Sequence, residues 1–190
     1  MKEDVVISVR NLVKKFGNFT AVDNLDFDVY KGEIFGFLGA NGAGKTTAIR
    51  ILSGLSVPTS GDAIVSGFSA KHQPEKIKQV IGYMCQRFSL YEDLTVRENI
   101  TLYGGIYRMS RKLIKERTAE LLGRLNFEMY ADTLISSLPL GLKQKLAFSV
   151  AVLHDPGIVF LDEPTGGVDP VTRRQFWEMI YETSSRGITV

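Results

Sequence analysis

Residues 39–46 read Gly39-Ala40-Asn41-Gly42-Ala43-Gly44-Lys45-Thr46, and this glycine-rich stretch decides the fold class. An apolar run at residues 33–38 precedes it and is long enough for one buried strand, whereas residues 46–52 suit a helix. Strand, loop and helix in this order are typical of a phosphate-binding loop, whose glycines let successive backbone N–H groups point at phosphate oxygens. The positive N-terminal end of the helix dipole also attracts the negatively charged phosphates. The sequence therefore predicts a nucleoside triphosphate site.

Two side chains at the end of this phosphate loop (residues 39–46) point to the same ligand. Lys45 is expected to place its ammonium on the outer phosphates, and the Thr46 hydroxyl is a natural Mg²⁺ ligand. A glycine-rich turn that only joined a strand to a helix would not require Lys and Thr at its end. The residues expected to bind the triphosphate here are Gly39, Asn41, Gly42, Ala43, Gly44, Lys45, Thr46 and Thr47.

Length and composition indicate an ordinary globular chain. Its 190 residues suit one domain, with 44% hydrophobic residues, 23% charged residues and a formal net charge of +2. That charge argues neither for nor against nucleic acid, and nucleic acid is not an expected partner. No apolar stretch approaches the ~20 residues needed to cross a bilayer, so any membrane role is expected to come through a partner.

The order of apolar patterns predicts an α/β fold. Strands are predicted at residues 5–13, 25–30, 63–65 (after a turn at 61–62), 80–85 and 157–161. Helices are predicted after the capping residues Thr95 and Ser110, and at residues 142–153 and 170–184. The prediction is a P-loop NTPase core with a mainly parallel sheet, an N-terminal antiparallel β part and an inserted helical part at about residues 87–140.

A second cluster of chemistry lies at residues 158–163, where an apolar strand ends in Asp162 and Glu163. Beside a phosphate loop, Asp162 is expected to hold Mg²⁺, often through water, because that ion takes few protein ligands. Glu163 is expected to orient or deprotonate the attacking water. Hydrolysis of a phosphoanhydride depends on positioning and charge neutralisation, which Glu163 and Lys45 would supply. The Asn-Lys-x-Asp element that reads guanine is absent, which favours ATP.

The order of these motifs resembles the nucleotide-binding domain of an ATP-binding-cassette (ABC) transporter over nearly the whole chain. The resemblance implies ATP and Mg²⁺ as ligands and further roles for residues that match the family's motifs. Phe16 matches the aromatic that stacks on adenine, and Gln86 the glutamine that senses Mg²⁺ and the γ-phosphate. Asp169, in the loop after Glu163, matches the aspartate that touches a second subunit.

The segment at residues 138–144, called here the signature segment, departs from the family pattern. Where the family reads Leu-Ser-Gly-Gly-Gln, this chain has Leu138-Pro139-Leu140-Gly141-Leu142. The resemblance implies that Pro139, Leu140 and Gly141 face the other subunit and that Gly141 approaches its γ-phosphate. Pro139 removes a hydroxyl and an N–H, and losing one preorganised donor typically costs about 10²–10³ in rate. Three outcomes stay open: a tolerated variant, an inactive site, or a partner with a better signature.

The chain breaks off at Val190 within an apolar run that reads as the start of a strand. In the family that strand leads to a histidine that contacts the γ-phosphate. Neither His72 nor His154 lies at a matching place, and both are expected at the surface. The sequence is therefore expected to be a truncated single cassette with weak or no turnover of its own.

The resemblance implies an ATPase subunit of an export-type multidrug transporter. It would bind membrane-spanning permease subunits and a second ABC ATPase domain, identical or homologous, and would lie in the cytoplasm on the inner face of the cell membrane. Residues 87–107 would receive the permease, with Phe88, Leu90, Tyr91 and Leu94 as apolar contacts. The alternatives are a soluble ABC-type ATPase, a regulatory subunit with a slow site and, remotely, a P-loop kinase.

Overall fold

A computed structural model describes residues 4–40, 42–85 and 90–190. The chain divides into two compact units: Met1–Tyr83 with Gly157–Asp162 and Ile180–Val190, and Met84–Pro156 with Glu163–Met179. The strands are β1 (Val5–Phe16), β2 (Phe19–Tyr30), β3 (Ser60–Val65), β4 (Phe68–Ser69), β5 (Ile81–Met84) and β6 (Ile158–Leu161). The helices are α1 (Lys45–Leu52), α2 (Pro74–Val80), α3 (Val96–Ile106), α4 (Arg111–Leu125), α5 (Leu140–Ala151) and α6 (Pro170–Ser185). The predicted α/β fold is confirmed.

The N-terminal antiparallel sheet has the strand order β2-β1-β3-β4. A two-residue turn at Gly17 and Asn18 joins β1 to β2, and Gly17 has a φ of 57°, which glycine adopts at little cost. The predicted turn at residues 61–62 is wrong. Both residues lie inside β3, where Asp62 pairs with Arg10 of β1. Pairing with β1 therefore outweighs the local turn preference of Gly and Asp.

β5 and β6 form a second, two-stranded sheet. A parallel bridge joins Ile158 to Thr189, so the apolar run at the end of the chain, predicted to begin a strand, lies beside β6. Residues 33–38 are not assigned to a strand, which corrects the prediction of a buried strand there. Within the part of the chain that the structure describes, they make two strand-like hydrogen bonds, from Phe35 N to Val190 O (2.8 Å) and from Val190 N to Glu33 O (2.9 Å), and Leu38 is 98% exposed.

The core of the first unit is built from both sheets and α1. Alternate residues of β1 point into it, as the period of a half-buried strand requires. α1 contributes its apolar face, and β6 is buried along most of its length. The buried cluster includes Ile7, Val9, Leu12, Val29, Ile51, Leu52, Val65, Ile77, Ile158 and Phe160. The phosphate loop therefore leads into a helix that is fixed by packing.

The second unit is helical among its described residues, and α3 packs on α4 and α5. The predicted capping box is confirmed at α3: Thr95 Oγ1 accepts from Glu98 N (3.2 Å), and Glu98 accepts from Thr95 N (2.8 Å). Ser110 caps α4 as predicted, by accepting from Leu113 N. α5 begins at Leu140, two residues before the predicted start.

Candidate nucleotide-binding site

The phosphate loop takes the left-handed backbone conformation at two glycines. Gly42 and Gly44 both have a φ of 84°, and Gly44 directly precedes α1. Lys45 is the first residue of α1, and its Nζ donates to the carbonyl oxygens of Gly39 and Ala40, each over 2.7 Å. Its ammonium therefore lies against the loop that a phosphate would occupy. Asn41, predicted to bind phosphate, lies outside the described residues.

A β-bulge in β2 supports the C-terminal end of this loop. Lys14 pairs with Val22 and Lys15 with Thr20, which leaves Ala21 as an extra residue in β2. A Cβ on Gly44 would lie 2.1 Å from the carbonyl oxygen of Ala21. Only glycine permits this close approach, so the backbone of β2 braces the loop directly before Lys45. Sequence reasoning missed this contact because strand register is not visible in one strand alone.

The carboxylate predicted to hold Mg²⁺ lies beside the loop's hydroxyl. Thr46 Oγ1 donates to Asp162 Oδ1 over 3.1 Å, within the first unit. Asp162 directly follows the buried strand β6 and is itself only 4% exposed. A buried carboxylate requires polar partners, and here one partner is the hydroxyl at the start of α1. The structure thus brings together two of the three predicted metal ligands; the third, Gln86, lies outside the described residues.

The predicted base-stacking residue is exposed at the tip of the β1–β2 hairpin. Phe16 is 56% exposed and pairs directly with Phe19 of β2, which is 61% exposed. Directly paired residues of an antiparallel sheet project to the same side, so both rings lie on one face. Lys14 lies over Phe16, with Nζ 5.0 Å from the ring centre. No motif in the sequence points to Lys14 or Phe19.

Glu163, the predicted catalytic carboxylate, belongs to the second unit together with the residues predicted to face another subunit. It has a φ of 51°, which is uncommon for a residue with a side chain. Its carbonyl oxygen accepts from Gly166 N over 3.1 Å, so the chain turns directly after the carboxylate. Strained backbone of this kind is frequent at functional sites.

The signature segment begins α5 at a proline. Pro139 takes the N-cap position, and its carbonyl oxygen accepts from Leu142 N (3.0 Å) and Lys143 N (3.1 Å). No side chain of residues 4–40, 42–85 or 90–190 caps this helix end. Leu140 is 39% exposed. A Cβ on Gly141 would lie 2.8 Å from Thr172 Cγ2, so Gly141 lets α5 approach the first turn of α6 closely.

Asp169, predicted to touch a second subunit, is the capping residue of α6 in this chain. Its Oδ1 accepts from Val171 N (2.9 Å) and Thr172 N (3.0 Å), and its Oδ2 accepts from the Thr172 hydroxyl (2.6 Å). The Thr172 hydroxyl bond, followed by these amides, lowers the pKa of Asp169. The sequence carries a signal for this role, because Asp followed by Pro170 is typical of a helix N-terminus.

Gln144 was not predicted as a site residue. It is 6% exposed, and its Nε2 donates to the carbonyl oxygen of Gly166 over 3.0 Å. Its Oε1 is buried without a hydrogen-bond partner among the described residues. The Gln144 side chain therefore links α5, which the signature segment begins, to the loop that follows Glu163.

The two histidines differ in their surroundings. His72 is exposed, as predicted. The surface prediction for His154 is wrong: it is half-buried, and its ring stacks on Tyr107 with the centres 3.7 Å apart. Burial raises the pKa of Tyr107 to about 12, so this phenol stays neutral. The stacking joins the residues after α3 and α5.

Comparison with known proteins independently supports the resemblance to the ABC transporter family. The family "ABC transporter" matches residues 22–166. The probable multidrug ABC transporter ATP-binding protein YbhF of Escherichia coli (strain K12) is 45% identical over 187 residues, which are 98% of this chain and 32% of that protein. Nod factor export ATP-binding protein I of Cupriavidus metallidurans is 36% identical over 185 residues, 97% of this chain and 61% of that one. The chain thus spans less than two thirds of either relative.

Solved structures share the fold. The structure of cbiO1 from Clostridium perfringens, described as part of the ABC transporter complex cbiONQ, aligns with a TM-score of 0.86 and 24% identity. The alignment covers 98% of this chain and 77% of that one. Within the described residues, no helix combines the length and the apolarity of a membrane span. The extent of the family match and the shared fold lead to one conclusion: the chain belongs to the ABC transporter family.

Proposed function

We propose that the chain binds and hydrolyses ATP and drives export through membrane-spanning partner subunits. The observation that carries this proposal is the hydrogen bond between Thr46 and Asp162, which joins the phosphate loop to the acidic end of β6. Relatives named for multidrug transport and for Nod factor export support the direction of transport. The proposed unit is one ABC ATPase domain over residues 1–190, with a helical subdomain at about 87–140.

The donors near the loop suit Mg²⁺ held with the triphosphate. A hydroxyl and a carboxylate are hard oxygen ligands, and Mg²⁺ keeps most of its waters. The described residues hold no group of three or more His, Cys, Asp or Glu that could hold a metal ion, which agrees with a site completed by phosphate and water. Thr46 and Asp162 would hold the ion, together with Gln86. When bound, Mg²⁺ neutralises charge on the phosphates.

The chain's own groups would share the remaining work. Amides of the phosphate loop and the Lys45 ammonium would bind the β- and γ-phosphates, and Phe16 would stack on adenine. Glu163 would accept a proton from the attacking water or orient it, a role that contributes about 10²–10⁴ in rate for general bases. The positive φ of Glu163 and the turn at Gly166 support a fixed position for this carboxylate.

A second ATPase domain would complete the site. Pro139, Leu140, Gly141 and Asp169 are proposed to face it. Leu140 is partly exposed, which supports a contact role, whereas Asp169 already caps α6 and would offer only the remaining capacity of its oxygens. Residues 87–107 would receive the permease, and the assembly would lie at the inner face of the cell membrane.

Hydrolysis measured against protein concentration tests the proposal. The specific rate is expected to be low and to rise with concentration as two copies meet. Glu163→Gln should retain ATP binding and lower turnover by about 10²-fold or more. Glu178→Gln, in an exposed ion pair with Arg174, is the matched control. Equal rates for Glu163→Gln and wild type would contradict the role of Glu163, and absence of ATP binding would overturn the function itself.

A further inference from the structure

Lys14 occupies a defined position at the hairpin tip. Its Nζ donates to the carbonyl oxygen of Val57 over 2.7 Å and lies 5.0 Å from the centre of the Phe16 ring. The side chain is half-buried, and the Val57 carbonyl fixes its charged end. The ammonium therefore contacts the ring from a position that the rest of the first unit determines.

This contact covers one face of an otherwise exposed aromatic. Phe16 is 56% exposed. A cation over a phenyl ring is attracted by the negative face of the π system. It also restricts the ring, which lowers the cost of ordering the side chain when a ligand binds. A planar group that stacks on this ring would therefore use its opposite face.

We propose that Lys14 is a positioning residue for the nucleobase: it covers one face of Phe16 and holds the ring so that the other face stacks on the base. This inference rests on the proposed function, in which Phe16 stacks on adenine. Lys14 touches the ring and not the base, so its effect on nucleotide affinity passes through Phe16.

Neighbouring residues separate this role from a general effect of charge. Lys15 is adjacent in β1 and exposed, and alternation along the strand directs its side chain to the other side of the sheet. Lys15→Met removes the same charge from the same strand but leaves Phe16 and its contact intact. It is the matched control for Lys14→Met.

The test is a double-mutant cycle read by calorimetric titration of the full chain with ATP and Mg²⁺. Lys14→Met is expected to weaken ATP binding by about two- to fivefold, the range of an exposed cation–π contact. Lys14→Arg keeps a cation over the ring and should bind like wild type. Phe16→Leu keeps an apolar side chain without a π face, and Lys14→Met added to it should cause no further loss.

Each outcome decides the proposal. A loss for Lys14→Met that persists in the Phe16→Leu background, or an equal loss for Lys15→Met, would show a general charge effect and overturn the inference. No loss for Lys14→Met would also overturn it. Equal melting temperatures for wild type and Lys14→Met would exclude a folding defect as the cause of weaker binding. Failure of wild type to bind ATP would instead reject the proposed function.

Discussion

The Thr46 hydroxyl donates to Oδ1 of Asp162 over 3.1 Å, although the two residues are 116 positions apart in the sequence. One lies in the first turn of α1, and the other follows the last residue of β6. The hydrogen bond links the phosphate loop to the acidic motif at residues 162–163, which is distant in the sequence. It also supplies a polar partner for a carboxylate that is almost entirely buried.

Thr46→Val removes this donor and keeps the shape of the side chain. Because a buried charged group then loses a partner, the free energy of unfolding is expected to fall by about 1–3 kcal/mol, measured by urea denaturation. Thr46→Ser keeps the hydroxyl and should remain close to wild type. In the presence of Mg²⁺, ATP binding should be weaker for Thr46→Val than for wild type, whereas Thr46→Ser should bind ATP like wild type. Similar behaviour of the two variants would argue against the contact.

Gly44→Ala tests the contact between the phosphate loop and β2. The new Cβ would lie 2.1 Å from the carbonyl oxygen of Ala21, and the residue would also carry an unfavourable φ of 84°. Gly42→Ala is the matched control, because Gly42 has the same φ and its added Cβ would meet no atom of the described residues within 4 Å. Gly42→Ala should cost about 1–2 kcal/mol from backbone strain alone. Gly44→Ala should cost about 1–3 kcal/mol more from overpacking. If urea denaturation gave the two variants equal losses of stability, β2 would have to move away from the added Cβ at little cost.

Gly141→Ala brings two opposing effects into competition. Alanine favours the helix by roughly 0.5–1 kcal/mol, but the added Cβ would lie 2.8 Å from Thr172 Cγ2. Overpacking typically costs about 1–3 kcal/mol, so a net loss of stability is expected. Thr172→Ser removes that methyl group and keeps the hydroxyl that Asp169 binds. Gly141→Ala should therefore cost less in the Thr172→Ser background, and additive effects would contradict the contact.

The lowered pKa of Asp169 predicts a pH dependence of stability. The hydrogen bond from Thr172 favours the carboxylate in the folded chain, so the folded pKa lies below the unfolded value of about 4. The stabilisation is present above the unfolded pKa and is lost as the pH falls through the folded pKa. Asp169→Asn should flatten the fall in urea midpoint as the pH drops below the unfolded pKa of about 4. If the urea midpoint of Asp169→Asn fell with pH as steeply as that of wild type, other carboxylates would account for the pH dependence.

Local patterns predicted local structure well. The capping box at Thr95 and Glu98 needs only four residues, and its geometry is as expected. The phosphate loop and α1 are likewise encoded within a short stretch. By contrast, α2 was missed, because its seven residues bury only Ile77 and show no apolar stripe.

Features that depend on pairing between distant segments could not be predicted. The strand expected at residues 33–38 depends on neighbours far along the chain, and its two strand-like hydrogen bonds go to Val190. The position of Lys14 over Phe16 could not be predicted, because it depends on a hydrogen bond from the Lys14 ammonium to the carbonyl oxygen of Val57. The family resemblance supplied the role of Phe16, but nothing in the motif points to the residue two positions before it.

The extra residue at Ala21 restricts which changes of length this protein can accept. Removal of Ala21 from β2 would erase the bulge and, with it, the carbonyl oxygen that lies against Gly44. The Gly17–Asn18 turn lies before that bulge, so an insertion there would lengthen the hairpin and leave its brace on the loop unchanged. Insertions and deletions should therefore accumulate at the turn and be excluded from the next few residues, so that the hairpin can vary in length while its contact with the phosphate loop is kept.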